Sequence, residues 1–131
     1  MAHFDQTIQV HWRFPVRFTR GVFAPGNAAL GDLIMGDRPR LLAYIDANLV
    51  AAQPALPAKL RLWAETHPHG LELALVRELP GGEAVKNDPD IIPLLATDAR
   101  DYHLCRHSYV LAIGGGALLD AVGYAAATIH R

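Results

Sequence analysis

The chain has 131 residues, half of them apolar and about a fifth charged, with a formal net charge of −1. That is one domain, residues 1–131, with room for a real core but small for a complete two-domain enzyme. The near-neutral charge gives no electrostatic footprint for nucleic acid or an anionic membrane, and neither is expected as a partner. The single cysteine, Cys105, cannot close an internal disulfide, which points to a reducing, cytoplasmic setting. No charged-then-apolar leader opens the chain, and no apolar run approaches about 18 residues, so neither export by that route nor a membrane span is expected.

In chain order, Thr7 to Trp12 and Val16 to Thr19 alternate apolar and polar residues around Pro15, a pattern that predicts two short edge strands. Pro25, Gly26 and Asn27 open a helical segment, Ala28 to Met35, closed by Gly36. Arg40 to Ile45 reads as a buried strand ending in Asp46-Ala47-Asn48. Pro54 to Thr66 reads as a helix with Leu56, Leu60, Leu62 and Trp63 on its apolar side, ended by His67-Pro68. Leu71 to Leu79 is the next strand, and Pro80-Gly81-Gly82 leads into Glu83 to Asn87. Asp88 is placed to cap a helix from Pro89 to about His103, with Ile92, Leu95, Ala99 and Tyr102 on one face. Tyr109 to Ile113 is a short apolar run bounded by Gly114, Gly115 and Gly116, and an alanine-rich helix follows from Ala117 to His130. Strand and helix alternate from Arg40 onward, which predicts a Rossmann-like, doubly wound α/β domain with a mainly parallel sheet. Such a half normally continues into another strand after its last helix, so the chain reads as cut at Arg131.

Three loops leave the C-terminal ends of the three main strands: Asp46-Ala47-Asn48, Gly82 to Asn87, and Gly114 to Asp120. In an open parallel sheet all three mouths open on one edge, where ligands bind. A carboxylate after the first strand suits a ribose diol. The glycine turn aims unpaired N–H groups at an anion, above all a phosphate. The dinucleotide pattern of three spaced glycines is only partly met, because Leu119 stands at the third position. Each loop also has a plain structural reading: Asp46 as a helix cap, Glu83 and Lys86 as a solvated pair, Asp120 as a complement to a helix dipole. Together they favour a nucleotide. His103, Cys105 and His107 only superficially resemble a metal set, and Cys105 reads as a half-buried helix-end thiol.

Four motifs in order resemble the N-terminal domain of the 3-dehydroquinate synthase family, the sugar phosphate cyclases. They are Asp46-Ala47-Asn48 (D-x-N), Gly82 to Lys86 (G-E-x-x-K), Arg106-His107-Ser108 through Gly116 to Asp120 (R-x-S…G-G-G-x-x-x-D), and Gly123 to Thr128 with Arg131 (G-F-x-A-A-T-x-x-R). The resemblance implies that the domain binds NAD. It places Asp46 and Asn48 at the adenosine end, Glu83 and Lys86 on further parts of the cofactor, and Gly115, Gly116 and Ala117 at the pyrophosphate. Asp120 falls at the nicotinamide side and Arg131 on the substrate phosphate across a dimer interface. It implies a reaction in which NAD transiently oxidises a sugar phosphate, phosphate is eliminated and a carbocycle closes. A divalent metal, zinc or cobalt, would be held in a helical C-terminal domain that this chain does not contain, so the chain alone is expected to be inactive. Leu119 departs from the glycine usual before the aspartate, which suggests an outlying, dehydroquinate-synthase-like branch. The related iron-type alcohol and glycerol dehydrogenases share the glycine turn but fit the second and fourth motifs less well. A stand-alone nucleotide-binding or assembly module is the reading from another class. Exposed apolar surface on the last helix, around Tyr124 and Ile129, leads to the expectation of a homodimer.

Overall fold

The structure, a computed structural model, describes residues 1–129. Its centre is a three-stranded parallel sheet of β1 (Arg40–Asp46), β2 (Glu72–Leu79) and β3 (Tyr109–Ile113), in the order β2-β1-β3. Leu41 aligns with Leu73 on one side and Tyr109 on the other, and a register shift between Leu41 and Leu42 interrupts the β1–β2 ladder. The run Leu41 to Ile45 of β1 is buried and without charge because both its faces are covered, as the inner strand of a parallel sheet requires. Leu41, Ala43 and Ile45 point to one side, against Leu60, Trp63 and Ala64. Leu42 and Tyr44 point to the other, against Leu95, Leu118 and Val122.

The first face is covered by α1 (Ala47–Ala52), α2 (Leu56–Glu65) and the segment around Phe23 to Ile34, in which only Gly31–Leu33 forms a helical turn. The second is covered by α3 (Ile91–Asp101) and α4 (Gly116–Ile129), with a short 3-10 turn, Glu83–Asn87, at its upper end. The β2-to-β3 connection therefore crosses over β1 to its far side, and the order of the strands reverses there. This is the doubly wound α/β arrangement expected, and its reversal point lies at the C-terminal end of β1.

Inside the second face sits a polar cluster. Tyr44 Oη donates to Asp98 Oδ2 at 3.0 Å. Arg77 grips the same carboxylate with two N–H donors, at 2.9 Å to Oδ2 and 2.7 Å to Oδ1. Tyr44 is fully buried and Asp98 nearly so. The phenol is held well above its ordinary pKa, by burial first and by the adjacent Asp98 carboxylate second. At the opposite end of the sheet Arg40 Nη1 donates to the Tyr102 carbonyl at 2.8 Å and so closes the last turn of α3, where His103 adopts a left-handed φ of 53°.

Several expectations need correction. The N-terminal pair of edge strands does not form, since residues 1–19 have no helix or strand and their side chains are exposed. Alternation makes a strand only where a sheet edge and a core await it, and this stretch meets neither. The helix expected over Ala28 to Met35 is reduced to its 3-10 turn. The buried face of α3 is Ile91, Leu95 and Asp98, one residue off the predicted stripe, because the polar Asp98 is the residue turned inward. Leu62 of α2 is exposed rather than buried. Asp88 does not cap α3 directly; its Oδ1 accepts from Asp90 N–H in the turn before the helix. Cys105 is exposed. Its thiol lies below its ordinary pKa because the Ser108 hydroxyl and the His107 backbone N–H donate to it.

Candidate nucleotide site at the upper edge of the sheet

The C-terminal ends of β1, β2 and β3 bring the three predicted loops to one rim. Asp46 ends β1 and caps α1, its Oδ1 accepting from Asn48 N–H at 2.8 Å. Ala47 and Asn48 are thus the first helical residues rather than loop, and Asn48 is exposed. The cap reading and the ligand reading are compatible, because Oδ2 accepts no hydrogen bond among the described residues.

Asp46 also fits between two glycines. A side chain on Gly81 would run into the Asp46 carboxylate itself. One on Gly114 would come within 2.8 Å of Leu118 Cδ2 and 2.9 Å of Asp46 Cβ. The close packing of Gly81 and Gly114 against Asp46 is what sequence reasoning missed. The signal was present in Pro80-Gly81-Gly82 and Gly114-Gly115-Gly116, where the first glycine of each run meets the neighbouring strand's end.

Gly115 and Gly116 are different. A Cβ at either position would meet nothing within 4 Å, and neither has a positive φ. Gly115 is therefore not a left-handed residue, and the protein's own packing makes no demand for glycine there. Above them lies open space, faced by the first turn of α4. The N–H groups of Gly116, Ala117 and Leu118 have no helical acceptor, since the first such bond is Leu119 N–H to Gly115 at 3.1 Å. N–H groups bared in this way, at the N-terminus of a helix of fourteen residues, are donors that an anion can meet.

The second loop reaches the third through charge. Lys86 Nζ lies 3.2 Å from Asp120 Oδ2 and 3.6 Å from Glu83 Oε2. Its pKa is raised, chiefly by the hydrogen bond to Asp120 and then by the charge of Glu83. All three side chains are exposed. Of the predicted site residues, Asp46, Gly115, Gly116, Ala117, Glu83, Lys86 and Asp120 thus share the rim, Asn48 stands on its α1 side, and Arg131 lies outside the described residues. Among the described residues no three His, Cys, Asp or Glu side chains are grouped to hold a metal ion.

Residues 76–131 match the 3-dehydroquinate synthase N-terminal family. The resemblance to that family is therefore shown, and the matched stretch holds the second, third and fourth motifs, while Asp46-Ala47-Asn48 lies before it. The chain is similar to the 2-epi-5-epi-valiolone synthase of an Actinomyces species, 31% identical over 99% of this chain and 32% of that protein. It is also similar to the demethyl-4-deoxygadusol synthase of Trichormus variabilis, 29% identical over 87% of this chain and 26% of the other. Neither is itself named a 3-dehydroquinate synthase, in keeping with the departure at Leu119. Among solved structures, ValA, the 2-epi-5-epi-valiolone synthase of Streptomyces hygroscopicus subsp. jinggangensis with NAD+ and Zn2+ bound, superposes with a TM-score of 0.62 at 25% identity. That match covers 92% of this chain and 31% of ValA. The chain spans about a quarter to a third of the length of these relatives.

Proposed function

We infer that this chain is the NAD-binding domain of a sugar phosphate cyclase of the 3-dehydroquinate synthase kind. The observation that carries the reading is the bare backbone at Gly115 and Gly116, where glycine answers no need of the fold and leaves the start of α4 open to a ligand. The first-turn N–H groups of α4 donate to the pyrophosphate. Asp46 Oδ2 accepts from a ribose hydroxyl, with Asn48 beside it. Lys86 offsets the phosphate charge and gives up part of its hold on Asp120, which then faces the nicotinamide end. When bound, NAD supplies a reversible hydride acceptor for a sugar-phosphate hydroxyl. The described residues do not fit the zinc seen in ValA, and we place that metal in another domain of the longer enzyme; the 131-residue chain alone is then inactive. Arg131 is assigned to the substrate phosphate by its motif. The unpaired Cys105 suits a cytoplasmic location.

Calorimetric titration with NAD and NADP tests the reading. NAD binds weakly, in the range of about 0.1 to several mM, because contacts from elsewhere in a longer enzyme are absent. NADP binds more weakly still, since Asp46 repels its extra phosphate. Gly115→Val leaves the melting temperature unchanged and removes binding. No heat from a folded sample with either nucleotide at millimolar levels, or normal binding by Gly115→Val, overturns the assignment.

A further inference from the structure

Two adjacent glycines at the rim are glycine for opposite reasons. Gly82 has a φ of 90°, a conformation that side chains rarely adopt, although a Cβ there would meet nothing within 4 Å. Gly81 has a φ outside the left-handed range, yet a Cβ there would overlap both oxygens and Cγ of the Asp46 carboxylate. The three heavy atoms nearest that Cβ all belong to Asp46. The bare Cα at 81 thus answers to one side chain, thirty-five positions earlier.

That side chain has a structural duty, and the duty does not account for the clearance. Asp46 caps α1 through Oδ1, which accepts from Asn48 N–H. A serine hydroxyl serves such a cap with a single oxygen. The space over Gly81 holds the whole carboxylate, including Oδ2, which accepts no hydrogen bond among the described residues. The seat is also rigid. Asp46 pairs with Leu79 in the β1–β2 register, so Gly81 passes the end of β1 only two residues later. Leu79 is buried, and Pro80 has its φ fixed by its ring. From the β3 side, a Cβ on Gly114 would come within 2.9 Å of Asp46 Cβ. The carboxylate is closed in by the ends of both neighbouring strands, with one oxygen held by the backbone and the other left over.

We propose that Gly81 is a positioning residue for nucleotide selection at this rim. Its bare Cα lets the Asp46 carboxylate rest in one orientation, in which Oδ2 accepts from a ribose 2′-hydroxyl and turns away a ribose 2′-phosphate. The proposal rests on the nucleotide reading of the site and adds the residue through which the choice is made. Gly81 acts through Asp46, without touching the nucleotide. A side chain at 81 would push the carboxylate aside, leaving its charge in the region but spoiling its aim. Accepting a hydroxyl depends on hydrogen-bond geometry and is lost with the aim. Repelling a phosphate depends on charge and distance and fades gradually. A methyl group on residue 81 therefore harms NAD binding more than NADP binding.

The test uses the 131-residue chain with Gly81→Ala, with Asp46→Ala and with both, each titrated with NAD and NADP by NMR and unfolded in urea. Gly81→Ala should weaken NAD about tenfold, the worth of one hydrogen bond to a charged acceptor, and leave NADP within about twofold. Asp46→Ala should weaken NAD at least as much. In the Asp46→Ala background, Gly81→Ala should lower neither NAD affinity nor stability, because the side chain it collides with is gone. A purely structural glycine would lower stability in both backgrounds and leave the ratio of the two affinities where it was, which overturns the proposal. A further loss of NAD affinity in the double variant also overturns it, by showing that residue 81 meets the nucleotide directly. If Gly81→Ala does not fold, the double variant decides: folding with the affinities of Asp46→Ala supports the proposal, and failure to fold overturns it. If the parent chain binds neither nucleotide, the reading of the site falls and this inference falls with it. If the parent prefers NAD and Gly81→Ala keeps that preference, only this inference falls.

Discussion

Two polar clusters tie the α3–α4 side of this sheet, and they differ in what surrounds them. Tyr44, Arg77 and Asp98 join β1, β2 and α3 in the interior, with Asp98 only 3% exposed. Glu83, Lys86 and Asp120 join the turn after β2 to α4 at the rim, each in contact with water. In the first cluster the Tyr44 hydroxyl and both Asp98 oxygens are committed, and a lost partner leaves the Asp98 charge buried. In the second, water replaces any partner that leaves, so the cluster can hand its charges to a ligand at little cost. Two triads of similar composition thus differ in solvent access, and the rim triad is the one suited to the binding role proposed for it.

The largest effect should come from breaking the interior cluster. Asp98→Ala leaves Arg77 and the Tyr44 hydroxyl without their acceptor. Arg77 reaches solvent on one side, which trims the cost to about 2–4 kcal/mol, a fall of order 10 °C in Tm by calorimetry. A shift of only a degree or two would put the cluster on a par with the rim. Next comes Gly81→Ala, which forces the Asp46 carboxylate off its seat and costs about 1–3 kcal/mol in chemical denaturation. If that variant is as stable as the parent, the rim has no fixed part and Asp46 is free to move.

The third prediction is a pH dependence confined to the interior cluster. Tyr44 has its folded pKa raised, so its contribution is complete below the unfolded phenol pKa of about 10 and is lost as pH rises beyond it. Stability should fall above pH 10 with an added slope of at most about 1.4 kcal/mol per pH unit. Tyr44→Phe should lack that added slope; parallel curves for the two proteins would count against it. The smallest stability effect belongs to the rim: Lys86→Ala should leave Tm within error while lowering NAD affinity several-fold. A clear loss of Tm would make Lys86 a structural tie instead.

Much of this architecture was legible because the residues that decide it are local. The apolar runs Arg40 to Ile45 and Tyr109 to Ile113, the glycine turn after each of two strands, and the alternation of strand with helix were enough to order the sheet and gather its loops. Contacts that depend on distant pairs were not legible. Asp98 lies outside the apolar face expected of its helix, and only the arrival of Arg77 and Tyr44 from two strands turns it inward. The same holds for Gly81, whose need for a bare Cα comes from Asp46, thirty-five positions earlier. Residues 7–18 failed in the opposite sense. Their local pattern is the clearest strand signal in the chain, yet they pair with neither outer strand of the sheet.

The strand order has a consequence for how the protein is made. β1 emerges first from the ribosome, but its second neighbour aligns Leu41 with Tyr109, sixty-eight positions later. At about 5–20 residues per second, that interval lasts roughly 3 to 14 s. Throughout it the most buried strand of the sheet can pair on one side at most. The nascent chain therefore passes through a stage in which one edge of β1 is open, and any factor that shields emerging hydrophobic segments has those seconds in which to act.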